Sequence, residues 1–87
     1  MHKGLMVFFE TGSTAGIQVK HAKRITNILA LLNEAKAVQD MNILGYNLHQ
    51  LKGNTKGLYS VKVSGNWRIT FRFENGNAYI VNYLDYH

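Results

Sequence analysis

The sequence contains no cysteine and no proline, and it has no long apolar run. Without cysteine, disulfides and thiolate zinc sites are excluded, and a reducing compartment is permitted. No stretch approaches the roughly 18 apolar residues that a membrane-spanning helix needs, and no signal-peptide hydrophobic region follows Met1-His2-Lys3-Gly4. We therefore expect a cytoplasmic protein that has no membrane partner.

Acidic residues are also scarce. Five Asp and Glu face ten Lys and Arg, so the net charge is +5, and no acidic residue lies between Met41 and Phe73. Metal-dependent nucleases usually cluster carboxylates, and no glycine-rich phosphate loop precedes a helix, so we expect no metal and no other cofactor. A basic surface attracts nucleic acids, although the same charge could simply be a solvated surface.

The length and the apolar content predict one compact domain that spans residues 1–87, because 46% of the 87 residues are hydrophobic. Leu5, Phe8 and Phe9 form a short helical stripe that Gly12 can terminate. A second helix is predicted from about Gln18 to Val38. Its apolar arc comprises Ala22, Ile25, Ile28, Leu29 and Leu32, and its polar arc, which is typical of a solvated face, comprises Lys20, Lys23, Arg24, Asn27 and Glu34.

Alternating apolar and polar residues after Gly57 predict three strands. Asn75-Gly76 predicts a type I′ hairpin turn, which pairs Phe71 with Ile80 and Arg72 with Tyr79. If the same register continues along the strands, Arg68 pairs with Tyr83. A three-residue loop, 64–66, keeps the apolar faces of the first two strands together and pairs Val63 with Trp67 and Val61 with Ile69.

These elements predict an α+β domain in which two N-terminal helices pack on one face of a three-stranded antiparallel meander. The covered face should carry Tyr59, Val61, Ile69, Phe71 and Ile80. The other face should carry Lys62, Arg68, Thr70, Arg72, Tyr79 and Tyr83, and Lys56 belongs to the same acid-free segment. Cations hold phosphates and tyrosines stack on bases, which favours single-stranded RNA. Arg and Tyr also form ordinary cross-strand pairs, so both interpretations stay open.

Two short segments carry residues suited to RNA cleavage. His49 and Lys52 precede the sheet, Asp85-Tyr86-His87 ends the sequence, and a meander could bring both to the rim of the basic face. RNA is cleaved when its 2′-hydroxyl attacks the adjacent phosphate, and side chains help by moving protons and neutralising the phosphate. His, Tyr, Lys and Arg can do this without a metal, although a lone His is more often a solvated side chain.

At several motifs the sequence resembles the HigB-like toxins, also called plasmid maintenance killer proteins, of the RelE/ParE toxin superfamily. The resemblance covers nearly the whole chain and is most specific in Asn66-Trp67-Arg68-Ile69 and Asp85-Tyr86-His87. It also includes Gly4-Leu5, Phe8-Phe9-Glu10, the segment Gly12-Ser13-Thr14-Ala15-Gly16-Ile17, Leu48-His49 and Leu51-Lys52-Gly53.

The resemblance implies a RelE-like fold and cleavage of mRNA on the ribosome. It also implies neutralisation by a HigA-like helix-turn-helix antitoxin, whose complex with the toxin binds its own operator DNA. The active-site roles of the family would fall on His49, Lys52, Arg68, Asp85, Tyr86 and His87. Two other functions stay open, a ParE-like gyrase poison and a non-enzymatic RNA- or DNA-binding module, although Lys52 and the Asp-Tyr-His ending favour the nuclease.

The sequence departs from the family pattern in three places. Family members usually begin several residues earlier with a strand of the sheet, so we expect that strand to be missing or shortened here. Some members carry Arg near Ser64, where the nearest cation in this sequence is Lys62. Members often have Pro where Gln50 and Leu44 stand, and this difference should affect only loop stiffness.

Overall fold

The structure is a computed structural model that describes residues 3–51 and 57–85. Two helices, α1 (Lys3–Thr11) and α2 (Ala22–Glu34), precede four strands, and short 3₁₀ helices span Val19–His21 and Val38–Met41. The strands are β1 (His49–Gln50), β2 (Leu58–Ser64), β3 (Trp67–Glu74) and β4 (Asn77–Asp85), and they form one antiparallel sheet in the order β1-β2-β3-β4. Within the described ranges, no helix is long and apolar enough to cross a membrane.

The core lies between the helices and one face of the sheet, as the sequence predicts. Leu5 of α1 and the apolar arc of α2 are buried against Val61, Ile69 and Phe71. Tyr59 and Ile80 pack against the edge of this cluster. The predicted α+β architecture and the predicted covered face are therefore confirmed, and β1 adds a short fourth strand to the predicted meander.

A local hydrogen-bonding feature accounts for the C-terminal end of each helix. Gly12 has a positive φ of 77° and donates its N–H to the Phe8 carbonyl, which is the glycine cap predicted for α1. The second helix ends at Glu34 rather than near Val38, so its predicted end is four residues too late. The cause is Asp40, whose carboxylate accepts the N–H groups of Lys36 and Ala37 and so competes with helical hydrogen bonds.

The turn between β2 and β3 differs from the prediction. Ser64 pairs directly with Trp67, so the turn is Gly65-Asn66, and the predicted pair of Val63 with Trp67 is wrong. A β-bulge at Val63 absorbs the extra residue, which keeps Val63 buried and pairs Val61 with Ile69 as predicted. With a two-residue turn and no bulge, the apolar residues of β2 and β3 would lie on different faces of the sheet. The bulge at Val63 keeps them on the same face.

A second bulge changes the register of the last strand. The hairpin at Asn75-Gly76 pairs Arg72 with Tyr79 and Phe71 with Ile80 as predicted, but Thr70 then pairs with Asn82, so Val81 is the extra residue. The predicted pair of Arg68 with Tyr83 is therefore wrong: Arg68 faces Leu84, and Tyr83 faces Ile69. Because a one-residue shift moves side chains to the opposite face, Tyr83 lies on the helix-covered face.

Candidate active site on the open face of the sheet

The face of the sheet opposite the helices, here called the open face, carries a set of polar and basic residues. These are His49, Ser60, Lys62, Arg68, Thr70, Arg72, Tyr79 and Asn82. Ser60 and Thr70 pair with each other in the centre and are buried, so they form a small polar floor. The longer side chains around that floor can reach a molecule that lies on the sheet.

His49 reaches this face because β1 pairs with β2. It lies directly across from Ser60 and is exposed. With strands about 4.8 Å apart and residues about 3.3 Å apart along a strand, the Cα of His49 lies roughly 8 Å from that of Lys62 and roughly 12 Å from that of Arg68. A phosphate could therefore lie between the imidazole and the two cationic groups.

Arg68 is fixed by the turn that precedes it. Its Nη1 donates hydrogen bonds to the carbonyl oxygens of Gly65 at 2.9 Å and Trp67 at 3.2 Å. Among the described residues, no acceptor is recorded for its Nη2 or Nε. A guanidinium that is held at one nitrogen still presents donors in a rigid fork, which suits the oxygens of a phosphate.

Lys62 lies directly opposite Arg68 and is anchored through its backbone. Its N–H donates to the Tyr46 carbonyl at 2.6 Å, and its carbonyl accepts from Nε and Nη2 of Arg24. Arg24 also donates to the Gly45 carbonyl at 2.6 Å and lies 4.4 Å over the ring of Tyr46. The interpretation of the polar arc of α2 as a solvated face is thus wrong for Arg24, which ties the helix to the connection that leads to His49.

Arg72 and Tyr79 lie opposite each other at the far side of the open face. Arg72 forms a 3.5 Å ion pair with Glu74, and both side chains are about half exposed, so the pair is a weak constraint. Tyr79 is 53% exposed and offers a ring for stacking. Both residues lie on the face that the sequence predicts for them.

Tyr83 does not belong to this face. It is only 3% exposed, its ring stacks on Trp67 with centroids 4.6 Å apart, and its hydroxyl lies 2.7 Å from Nδ1 of His21. Burial raises the pKa of the Tyr83 hydroxyl, and the N–H of Gln18 opposes that shift. The prediction that Tyr83 binds RNA is therefore wrong, because its ring is not available to a base.

The side chain of His21, which no sequence motif marks, is almost fully buried at the start of α2. Desolvation by burial, followed by the charge of Lys20, lowers the pKa of His21 below its usual value. Its Nε2 is buried without a hydrogen-bond partner in the described part of the chain. Nothing in the sequence distinguishes this residue, because the Lys20-His21-Ala22 segment reads as the polar start of a helix.

Asp85 lies at the end of β4 opposite Trp67, one residue beyond the Leu84–Arg68 pair. It borders a hollow of about 490 Å³, which is also lined by Ala15, Gly16, Ile17, Gln18, Trp67, Tyr83 and Leu84. The other predicted site residues, Lys52, Lys56, Tyr86 and His87, lie outside the described residues. The structure thus brings His49, Lys62 and Arg68 to one face, whereas Asp85 lies opposite Trp67 on the other face of the sheet.

The comparisons with known proteins agree with this architecture. The family model of a RelE-like toxin of the type II toxin–antitoxin system HigB matches residues 1–87. The chain belongs to the HigB-like toxin family. It is 46% identical over 86 residues to the protein named Endoribonuclease HigB from Proteus vulgaris, an alignment that covers 99% of this chain and 94% of that relative. The family of toxins that the sequence motifs indicate is therefore confirmed, and a type II toxin has an antitoxin as its partner.

Proposed function

We propose that this protein is an endoribonuclease that inhibits translation by cutting mRNA on the ribosome. The observation that carries the proposal is its 46% identity, over nearly its whole length, to a relative named as an endoribonuclease. The open face supports it, because exposed His49 and half-buried Arg68 and Lys62 share that face. A gyrase poison or a purely binding module would not require this combination of a proton-transfer group and phosphate-binding groups.

The proposed reaction is an internal transfer at phosphorus. The 2′-oxygen loses its proton and bonds to the adjacent phosphorus, the bond from phosphorus to the 5′-oxygen breaks, and the 5′-oxygen takes up a proton. The products are a 2′,3′-cyclic phosphate and a 5′-hydroxyl. Cationic donors stabilise the negative charge that accumulates on the phosphate oxygens during this transfer.

We divide the roles in this reaction by side-chain chemistry. His49, Tyr86 and His87 exchange protons with the RNA, Asp85 orients His87, and Lys52 and Arg68 bind the reacting phosphate. The residues proposed to hold the rest of the RNA are Lys56, Lys62, Arg72 and Tyr79. Arg68 is the best supported of the phosphate ligands, because two backbone carbonyls already fix its guanidinium.

The proposal extends to the partners and the compartment. We propose a HigA-like helix-turn-helix antitoxin, operator DNA bound mainly through the antitoxin in the complex, and mRNA on the ribosome as the substrate. Such a reaction takes place in the cytoplasm. Because His and Tyr side chains are modest bases, the ribosome must help to position the RNA, and the isolated protein should cut naked RNA slowly.

Inducible expression followed by mapping of mRNA 5′ ends tests the proposal. The wild-type protein should arrest growth and produce new ends within translated messages, and Lys52→Ala and Arg68→Ala should each reduce both effects strongly. Lys23→Ala is the matched control, because it removes one exposed positive charge on α2, on the opposite side of the sheet. Growth arrest without new mRNA ends, accompanied by inhibition of DNA gyrase, would show that the proposed function is wrong.

The C-terminal residues have a test of their own. Deletion of Tyr86 and His87 should abolish cleavage of ribosome-bound mRNA and leave the melting temperature nearly unchanged. If the shortened protein still cuts at the wild-type rate, the chemistry does not use these residues, and it must rest on His49, Lys52 and Arg68.

A further inference from the structure

The end of β4 has two possible registers, and the structure contains the less regular one. From the Asn75-Gly76 turn, an unbroken ladder would place Tyr83 opposite Arg68 on the open face. The bulge at Val81 instead places Tyr83 opposite Ile69, Leu84 opposite Arg68 and Asp85 opposite Trp67. The choice between the two registers therefore decides which residue of β4 stands beside Arg68.

The contacts that favour the bulged register converge on Tyr83. Its ring is buried and stacks on Trp67, with 4.6 Å between the ring centroids. A buried phenol needs a partner for its hydroxyl, and here Nδ1 of His21 lies 2.7 Å away. The N–H of Gln18 adds a longer contact of 3.4 Å to the same oxygen.

His21 is well suited to hold that hydroxyl in place. It immediately precedes α2, whose Ile25 and Ile28 are fully buried in the core, so its backbone is tied to a rigid element. Its ring contacts Trp67 edge-on at 5.6 Å and Tyr83 at 6.0 Å. Within the described residues, the one side-chain hydrogen bond recorded for His21 is the bond to Tyr83.

We propose that His21 is a positioning residue for the active site: by holding the Tyr83 hydroxyl beneath the sheet, it fixes the bulged register of β4 that keeps Tyr83 off the open face and places Leu84, rather than Tyr83, opposite Arg68. The inference rests on the proposed function of Arg68 as a ligand of the RNA phosphate. His21 itself lies on the covered side of the sheet and is not proposed to touch the RNA. In the alternative register, Tyr83 would occupy the place beside Arg68 and would crowd the position proposed for the RNA phosphate.

Two variants remove the hydrogen bond in different ways. Tyr83→Phe keeps the ring that stacks on Trp67 and removes only the hydroxyl, whereas His21→Ala removes the imidazole. Both should lower kcat for ribosome-dependent cleavage by roughly tenfold to hundredfold and leave KM nearly unchanged, since small displacements of catalytic groups act mainly on the chemical step. His21→Asn, whose amide can reach the place of Nδ1, should restore much of the rate.

Tyr46→Phe is the matched control, because Tyr46 is also buried and lies outside the proposed site. It should keep the wild-type kcat even if the melting temperature falls as far as in Tyr83→Phe. The kcat of the double variant His21→Ala, Tyr83→Phe should be no lower than that of the less active single variant, as expected for two residues that act through one contact.

The register itself is measured by cross-strand nuclear Overhauser effects (NOEs) between backbone protons. In the wild type, residue 83 should show contacts to Ile69, and in Tyr83→Phe a second set of contacts to Arg68 should appear. The inference is overturned if Tyr83→Phe loses no more activity than Tyr46→Phe, or if cleavage falls while the residue 83 contacts stay with Ile69 alone. Failure of the wild type to cut ribosome-bound mRNA would instead reject the proposed function, and the NOE measurement would still report the register.

Discussion

Lys62 and Arg68 are direct cross-strand partners on the open face, so two basic residues lie opposite each other. Like charges in this position destabilise a sheet. In the described part of the chain, the one ion pair of the open face joins Arg72 to Glu74, and it does not involve either partner. The fold therefore tolerates an unfavourable pair at the place where we propose that RNA phosphate binds, and bound phosphate would relieve it.

The first prediction follows from this pair. Lys62→Gln should raise the free energy of unfolding by roughly 0.5 kcal/mol, because it removes the repulsion with Arg68 while keeping a β2 side chain of similar length. The same change should weaken cleavage of ribosome-bound mRNA. Chemical denaturation at low salt measures the first effect, and a cleavage assay measures the second.

The control for this experiment is Lys23→Gln. It removes a charge from α2 that is more exposed than that of Lys62, and it should alter neither stability nor cleavage strongly. High salt should also erase the stability difference between Lys62→Gln and the wild type, since salt screens charges near the surface. A Lys62→Gln protein that is less stable than the wild type at low salt would show that the pair is not repulsive.

Much of this site could be predicted from the sequence, since alternation is a strong signal. The apolar residues of β2 and β3 place Lys62, Arg68 and Arg72 on the opposite face, and Asn75-Gly76 fixes the register next to the turn. The prediction fails wherever a β-bulge adds a residue to one strand, because the alternation of apolar and polar residues does not reveal the bulge. The sequence therefore predicts the wrong face for Tyr83, and the predicted pair of Val63 with Trp67 does not form.

Contacts between segments that are far apart in the chain could not be predicted from the sequence either. Arg24 reads as one more cation on the polar side of a helix, yet it binds the carbonyls of Gly45 and Lys62. Gly4 reads as a weak helix residue, and only the fold shows that it meets Gly16. Such roles depend on which backbone atoms come together, and neither periodicity nor residue type reports that.

Gly4 provides the second prediction. In an isolated helix, Gly→Ala adds roughly 0.5–1 kcal/mol of stability, but here a Cβ at Gly4 would overlap the carbonyl oxygen of Gly16. Gly4→Ala should therefore destabilise the protein by about 1–3 kcal/mol, as overpacking typically does. Thermal unfolding measures the change, and a stabilised Gly4→Ala variant would show that α1 and the 12–17 loop can separate at little cost.

Gly12→Ala is the comparison for this variant. A Cβ at Gly12 would meet no atom within 4 Å, so this substitution costs only the strain of placing alanine at a φ of 77°. We expect a loss of about 1 kcal/mol, smaller than the loss in Gly4→Ala. The difference in the free energy of unfolding between the two variants measures the cost of crowding the Gly4 and Gly16 backbones, separately from the cost of losing glycine's conformational freedom.

The third prediction concerns Arg24. Arg24→Met keeps most of the aliphatic stem but leaves the carbonyls of Gly45 and Lys62 without this donor, and it removes the cation from the Tyr46 ring. We expect a loss of about 2–3 kcal/mol in the free energy of unfolding. Amide hydrogen exchange should accelerate mainly in residues 43–50, the segment that leads to His49.

Arg24→Lys separates charge from geometry in the same place. A lysine keeps the positive charge but cannot bind two carbonyls with one planar fork, so it should recover less than half of the lost stability. Lys23→Met, at the neighbouring exposed position, should change stability little. Full recovery by lysine would mean that Arg24 acts only through its charge.

The last prediction uses the titration of His21. Burial and, to a smaller extent, the charge of Lys20 hold the pKa of His21 below its ordinary value of 6.5, so the native imidazole stays neutral where the unfolded one takes up a proton. Tyr83, whose pKa is raised, stays protonated throughout this range, and the aromatic ring of Trp67 adds no charge. Between the ordinary pKa and the lowered one, the unfolded state binds more protons, so stability rises with pH and falls as pH is lowered through that window.

This dependence should disappear when His21 is replaced by a residue that does not titrate. As pH falls from about pH 7 to pH 5, the free energy of unfolding of the wild type should fall more steeply than that of His21→Asn. Above about pH 7.5 the two curves should run parallel, because His21 is then neutral in both the folded and the unfolded state. His49→Asn makes the same change at an exposed position and should keep the steep wild-type fall. If His21→Asn and the wild type lose stability equally as pH falls, His21 is not held neutral by its burial, and the orphaned Nε2 must then find an acceptor when it is protonated.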